Sequence, residues 1–248
     1  DAAKKSGKKL TIGYQNRFRP DSRLMKRYVE RGDLGEIYFS KAHAIRRRAV
    51  PTWGVFLNEY EQGGGPLIDI GTHALDLTLW MMNNYKPKAV LGMAFKKLGQ
   101  QTETGNAWGD WDPEKFTVED SAFGMVTMEN GATVMLESSW ALNTLDVREA
   151  QTTLCGTLGG ADMIGGLRVN KVDLGYQTTI TPNLQAGGVA FYEGGQAMSE
   201  SDLECKLWLD SILEDKDPVV LPEQAFVVTQ ILEAIYTSSK TGEAVYFK

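Results

Sequence analysis

The sequence predicts an α+β fold, a large and predominantly antiparallel sheet covered by helices. Three observations lead there. Between Lys88 and Thr179 strand-like runs follow one another through short turns, and neighbours joined so tightly pair antiparallel. Asn130-Gly131, between two of those runs, is the strongest short hairpin signal in the chain. Amphipathic helical segments lie before and after this strand-rich block, where they can cover it.

Taken in order, Asp1–Gly7 reads as the last turns of a helix closing on Lys4, Lys5 and a glycine C-cap. The chain lacks an initiator Met, and residues 1–14 are expected to be the remnant of a junction with a preceding N-terminal portion, leaving 15–248 as the domain proper. Lys9–Tyr14 is a short β-type run. Pro20 opens a helix to about Arg31, with Leu24, Tyr28 and Arg31 on one side and Gly32 as the stop. Glu36–Arg48 is a strand whose alternation slips near Lys41–Ala42, where a bulge is expected. Residues 49–65 form a loop ended by Gly63-Gly64-Gly65, and Pro66 suits the first position of a helix running to about Met82 and stopping at Asn83-Asn84.

Strands are then predicted over Val90–Leu98, Asp120–Glu129, Ala132–Trp140, Arg148–Thr157, Gly166–Asn170 and Val172–Thr179. Residues 182–200 are Gly-rich and read as loop. Ser199–Asp215, with Ser199 as N-cap, and Pro222–Ser239 are amphipathic helices, and Glu243–Phe247 returns as a last strand. Met125, Thr127, Thr133, Met135, Trp140 and Thr152 place apolar and small polar residues on both faces of their strands. A sheet apolar on both sides needs cover on both. Sheet-to-sheet pairing into a homodimer or homotetramer is one remedy, and cover by loops 99–118 and 182–200 is the other.

Composition narrows the function classes. At 248 residues, with 42% hydrophobic and 23% charged residues, the chain has an ordinary globular make-up and ample core. A net charge of −6 argues against nucleic acid or an anionic membrane as partner, and no apolar run reaches the length of a membrane span. Cys155 and Cys205 lack CxxC spacing and read as free buried thiols of a reducing cytoplasm.

The most informative chemistry is Asp69 and His73, four residues apart at the start of a predicted helix and so on one face of it. Imidazole has the right ordinary pKa to accept the proton of a secondary alcohol, and a carboxylate beside it can orient the ring and stabilise the imidazolium. The plain alternative is a surface Asp–His pair favoured by the helix dipole. A metal site built from Asp69, His73 and Asp76, with His43 the only other imidazole, is a rival with a thin ligand set. Gly63–Gly65 follows no apolar strand, and neither GxGxxG nor a GxxxxGK loop occurs in the sequence, so it offers no sign of a dinucleotide site. There is also no GxSxG for a serine nucleophile. Arg46-Arg47-Arg48 reads as a solvated edge or ion pair ahead of an anion site. Loop residues Trp53, Trp108 and Trp111 could stack on a sugar face or cap the core. The polar turn Asn16-Arg17-Phe18 follows a predicted strand, a common ligand edge.

Five stretches carry a family resemblance: AAKKSGKKLTIGYQNRFRP at 2–20, GDLGEIYF at 32–39, GGGPLIDIGTHALDLTLWMM at 63–82, VEDSAFGMVTMENGATVMLESSW at 118–140 and AIYTSSKTGEAVYF at 234–247. Together they resemble the C-terminal part of the glucose–fructose oxidoreductase/inositol dehydrogenase/rhizopine catabolism (Gfo/Idh/MocA) family. The resemblance implies a glyceraldehyde-3-phosphate dehydrogenase-like C-terminal fold. It also implies an NAD(P)-dependent oxidoreductase of a sugar, cyclitol or related polyol, whose NAD or NADP is bound mainly by an N-terminal Rossmann domain absent here. By the same token the chain alone would be inactive. Asp69 and His73 fall on the family's D-x-x-x-H pattern as catalytic pair, and Gln15, Asn16 and Arg17 fall on its substrate-side turn. Trp53 is added as a substrate contact from its loop position alone. The expected partners are a small sugar or polyol and further copies of the chain, with neither nucleic acid nor membrane. Two other readings stay open: a non-catalytic sugar-binding or scaffolding module, and a metal-dependent lyase or isomerase.

Overall fold

In the computed structural model, which describes residues 1–184 and 198–247, the chain opens with the short helix α1 (Ala2–Ser6), closed by Gly7 at φ 64°. Of the loop expected at 182–200, residues 185–197 lie outside the described residues. A 3₁₀ turn (Gln15–Phe18) leads into α2 (Pro20–Glu30), which has Pro at its first position, where the missing N–H is harmless. Strand β1 (Ile37–Ile45) follows, then a loop containing α3 (Glu59–Gln62), a π-helical turn (Leu67–Gly71) and α4 (Thr72–Met82). Asn83, left-handed at φ 48°, ends α4 as the Asn-Asn pair suggests.

Seven strands come next: β2 (Pro87–Phe95), β3 (Ser121–Met128), β4 (Thr133–Ser139), β5 (Arg148–Gly156), β6 (Gly159–Asp162), β7 (Arg168–Asp173) and β8 (Tyr176–Ile180). Helices α5 (Glu200–Leu213) and α6 (Pro222–Thr241) precede a two-residue β9 (Val245–Tyr246). Ser199 caps α5 by accepting the Asp202 N–H at 3.1 Å.

The described strands form one nine-stranded sheet in the order β8-β7-β6-β5-β1-β4-β3-β2-β9. All neighbours are antiparallel except β1 and β4, which run parallel because the chain crosses over through α4 and a hairpin between them. Small buried residues of β1 (Ser40, Ala42 and Ala44) let α4 lie close to the middle of the sheet. Helix α4 is apolar nearly all round, as a helix packed on several sides must be. Leu75 and Leu79 join the core shared with α6 and β2–β4, while Leu77 and Met81 join a second cluster with Met25, Leu154 and Val169. Each such leucine contributes about 1.5–3 kcal/mol by leaving water.

Several expected details change. Lys9–Tyr14 forms no strand: it has no ladder partner among the described residues, and its polar groups reach the 216–220 segment instead, Lys9 Nζ to Lys216 O and Thr11 Oγ1 to Val220 O. The β1 irregularities lie at Ile37/Phe39 and His43/Ile45, opposite β5, and not at Lys41–Ala42. Strand β6 and helix α3 lacked periodicity to announce them, and β7 runs unbroken through Lys171. Cys155 is half-buried and Cys205 exposed, both free, so the expectation of two buried thiols fails at Cys205. No described helix is long and apolar enough to cross a membrane.

The helices cover one face of the sheet. Trp140 and Thr152 belong to that side, Thr152 receiving a 2.9 Å hydrogen bond from Thr78 of α4. On the other face the paired residues Leu91 and Met125 stay 45% and 42% exposed, with Met93 beside them. The loop between β2 and β3 buries Trp111 and Phe116 in the main core.

Candidate active site

The site is built around the start of α4. Its first turn is capped from far away in sequence: the Glu119 carboxylate accepts the N–H groups of Gly65 (2.8 Å) and Leu67 (3.1 Å), and Tyr236 donates its hydroxyl to it at 2.7 Å. Burial raises the Glu119 pKa, and these donors pull it back down. A Cβ on Gly65 would stand 2.2 Å from the Glu119 carbonyl, which explains the glycine. The glycine run is therefore a closed helix start whose donors are already used, with no cradle for a phosphate. One turn on, Gly71 lets the helix touch β4: an added Cβ would meet Ser138 Oγ at 2.9 Å, and that hydroxyl donates to the Pro66 carbonyl at 2.7 Å.

Between these two contacts the helix adopts a π turn, a feature frequent at functional sites. It widens the turn just where ordinary helical spacing would stack Asp69 on His73. Asp69 Oδ2 instead accepts the Trp140 indole N–H at 2.8 Å. No hydrogen bond joins Asp69 to His73 among the described residues, and the carboxylate bears on the imidazole through its charge. His73 Nδ1 is buried without a hydrogen-bond partner among the described residues, a high-energy feature for a structural histidine. The ring is held by packing, with Tyr14 edge-on at 5.8 Å and anchored by a 3.0 Å bond to Thr72. Burial lowers the His73 pKa, opposed by the charges of Asp69 and Glu149, so the ring favours its neutral, proton-accepting form. Burial raises the Asp69 pKa, opposed by the Trp140 bond and by Arg46.

Asp69 and His73 line a cleft of about 380 Å³ with Gln15, Asn16, Arg46, Ile70, Glu149 and Ala150. Two of the expected substrate residues, Gln15 and Asn16, are therefore at the rim. Arg17 is not: it is 1% exposed and its guanidinium is turned inward onto Asp76. With three residues per turn, the 3₁₀ turn sends Arg17 and Phe18 inward and leaves Gln15 and Asn16 at the surface. Trp53 lies outside the lining. It packs edge-on against Trp108 at 5.1 Å and Phe56 at 5.9 Å, and Phe56 in turn meets Trp140 at 6.2 Å. Trp53 is thus tied to the cleft through a run of aromatic rings. Trp111 is a core residue.

Glu149 and Ala150 were missed by sequence reasoning. They sit where β5 bulges against the end of β1, with Ala150 at φ 53°, a backbone state that non-glycine residues rarely hold. No glycine or proline marks that bulge, so the sequence carries no signal for it. Arg19 fixes it by donating to the Ala150 carbonyl at 2.7 Å. Arg46 proves to be the ion pair the sequence suggested, its partner being Glu149. The metal triad does not assemble: Asp76 is committed to Arg17, and no three His, Cys, Asp or Glu side chains converge among the described residues. His43 lies apart, its Nε2 3.1 Å from Thr153 Oγ1 and its Nδ1 3.5 Å from Glu137.

The arrangement offers a neutral imidazole, a carboxylate that can stabilise its cation, and polar side chains around space for a small hydroxylated molecule. Known proteins agree in fold and sequence. The profile of the GFO/IDH/MocA C-terminal domain matches residues 22–162. The chain is 34% identical over 245 residues to D-glucoside 3-dehydrogenase of Escherichia coli (strain K12), covering 99% of this chain and 66% of that protein. Among solved structures, levoglucosan dehydrogenase in complex with NADH and L-sorbose superposes with a TM-score of 0.79 at 19% identity, covering 100% of this chain and 68% of the other. Aldose-aldose oxidoreductase from Caulobacter crescentus, complexed with glycerol, gives a TM-score of 0.75 at 22% identity, with 99% and 66% covered.

Proposed function

The chain belongs to the GFO/IDH/MocA family, and from that premise we propose that it supplies the substrate cleft and the proton acceptor of a nicotinamide-dependent dehydrogenase acting on a sugar or related polyol. The convergence of Asp69, His73, Gln15 and Asn16 in one cleft carries this reading. Its volume, about 380 Å³, lies at the small end of ligand sites and suits a single sugar ring. The relationship to a D-glucoside 3-dehydrogenase supports a sugar secondary hydroxyl as the reacting group.

Oxidising such a hydroxyl removes a proton from oxygen and a hydride from carbon. Neutral His73 takes the proton, and Asp69, held by Trp140, stabilises the imidazolium that results. In the reverse direction the imidazolium returns the proton to the nascent alkoxide. NAD or NADP, when bound, supplies the hydride chemistry. Of this chain's residues, the Gln15 and Asn16 amides at the rim would meet its nicotinamide end. At Gly63–Gly65 the Gly65 N–H is already taken by Glu119 and the Gly63 N–H by the Glu59 carbonyl.

Fluorescence titration with NADH and NADPH, of this chain and of protein expressed from the complete reading frame, tests the assignment. We expect binding and glycoside-dependent reduction of NAD(P)⁺ by the complete product, and neither from the 248-residue chain alone. A complete product that binds neither nucleotide would refute the dehydrogenase reading.

The open sheet face extends the proposal. Leu91, Met93 and Met125 form an exposed apolar patch that a second copy of the same face would bury. Light scattering at tens of micromolar should give the mass of a dimer or tetramer, and Met125→Lys should lower it. A monomeric mass for the parent chain would remove this interface from the account.

A further inference from the structure

The Arg46–Glu149 pair accepts no proton in the reaction above, and it forms a wall of the cleft beside Asp69 and His73. Its two residues come from the end of β1 and the start of β5, 103 positions apart, and meet in a two-point contact: Arg46 Nε to Glu149 Oε2 at 2.8 Å, and Nη2 to Oε1. Considerable structure serves this meeting. The bulge that aims Glu149 requires the left-handed Ala150 and is pinned by Arg19.

The rest of the Arg46 guanidinium is also engaged, through Nη1 to the Ala49 carbonyl at 3.3 Å and its flat face 5.2 Å from the Trp108 ring. Its side chain is 16% exposed against 40% for Glu149. The more exposed partner on the cleft wall is therefore the carboxylate, while three of the five N–H donors of the guanidinium are engaged by Glu149 and Ala49. Arg19 is committed to Asp21 and Ala150, Arg17 to Asp76, and Arg148, next to Glu149 in the chain, to Asp146. The wall thus sets two carboxylates, Asp69 and Glu149, against the single guanidinium of Arg46.

Resting on the sugar-dehydrogenase reading above, we infer that the Arg46–Glu149 pair is a specificity device that selects uncharged sugars, whose hydroxyls donate to Glu149, over sugar acids. A carboxylate or phosphate on the substrate would face Glu149, with the guanidinium of the wall already paired to it, and like charges so placed oppose binding strongly. A neutral ring meets no such repulsion, and the partly exposed Trp108 against Arg46 offers apolar surface for its C–H face.

The test compares methyl β-D-glucopyranoside with its uronate analogue in protein expressed from the complete reading frame, reading both calorimetric affinity and kcat/KM. The parent should prefer the neutral glycoside. Glu149→Gln frees the Arg46 fork and should move the neutral-to-acid ratio at least ~10-fold toward the acid. Arg46→Gln leaves Glu149 unopposed and should move it the other way. Opposite shifts in the two variants support the inference, since a merely structural ion pair would weaken both ligands alike. If the parent binds the neutral glycoside and neither variant changes the ratio, the inference fails and the dehydrogenase reading stands. If the parent binds neither sugar and turns neither over, the cleft is not a sugar site, and both fall.

Discussion

His73→Ala is expected to lower kcat by ~100-fold or more in protein able to bind the nicotinamide cofactor, the usual scale for a lost proton acceptor. Asp69→Asn should fall in the same range, for a different reason. His73 is held neutral by burial, and the Asp69 charge is what pulls its pKa back up. The acid limb of the kcat–pH profile should thus lie below the ordinary imidazole range, because the ring must be unprotonated to accept a proton. Removing the Asp69 charge should push that limb lower still while reducing the plateau, since the imidazolium formed in the transition state loses its stabilising partner. The sign matters: a limb that moved up in Asp69→Asn would mean that the carboxylate does not act on His73. Near-parental turnover in either variant would return the pair to a surface contact of no catalytic consequence.

The pair itself was legible in the sequence because both residues lie on one short helix. The Asn130-Gly131 hairpin was legible for a similar reason, its turn chemistry being local. What stayed hidden was set by partners distant in the chain. Trp140 reaches Asp69 across 71 positions and Glu149 reaches Arg46 across 103, and neither partner carries a local pattern that names the other. The π turn was hidden too, because it follows from helix α4 being capped by Glu119 at one point and touching Ser138 at another. Spacing alone therefore placed Asp69 near His73 and could not name Trp140 as its hydrogen-bond partner. Arg17 was misplaced for a related reason: its motif position put it in the cleft, and the 3₁₀ turn rotates it into the core.

Arg17 is instead where the largest loss of stability should appear. It and Asp76 are each 1% exposed, joined at 2.9 Å and 2.6 Å through both carboxylate oxygens. The remaining guanidinium donors reach the Val219 carbonyl, Gln224 Oε1 and Tyr85 Oη, so one side chain ties the turn carrying Gln15 and Asn16 to α4 and to the start of α6. Asp76→Ala should cost about 3–5 kcal/mol, because it strands a buried guanidinium without its counter-charge. Arg17→Met should cost a similar amount by stranding the carboxylate. The double variant Arg17→Met/Asp76→Leu should be more stable than either single one, since it leaves no buried charge behind. Urea denaturation checks all three, with Asp33→Ala as a reference, since its partner Arg31 is exposed and the pair should contribute little. If Asp76→Ala proved as mild as Asp33→Ala, water would have to reach the Arg17 site, and the turn would owe its position to something else. If the loss is large, partial destabilisation should raise KM before it lowers kcat, because the pair positions the rim residues Gln15 and Asn16 and touches neither Asp69 nor His73.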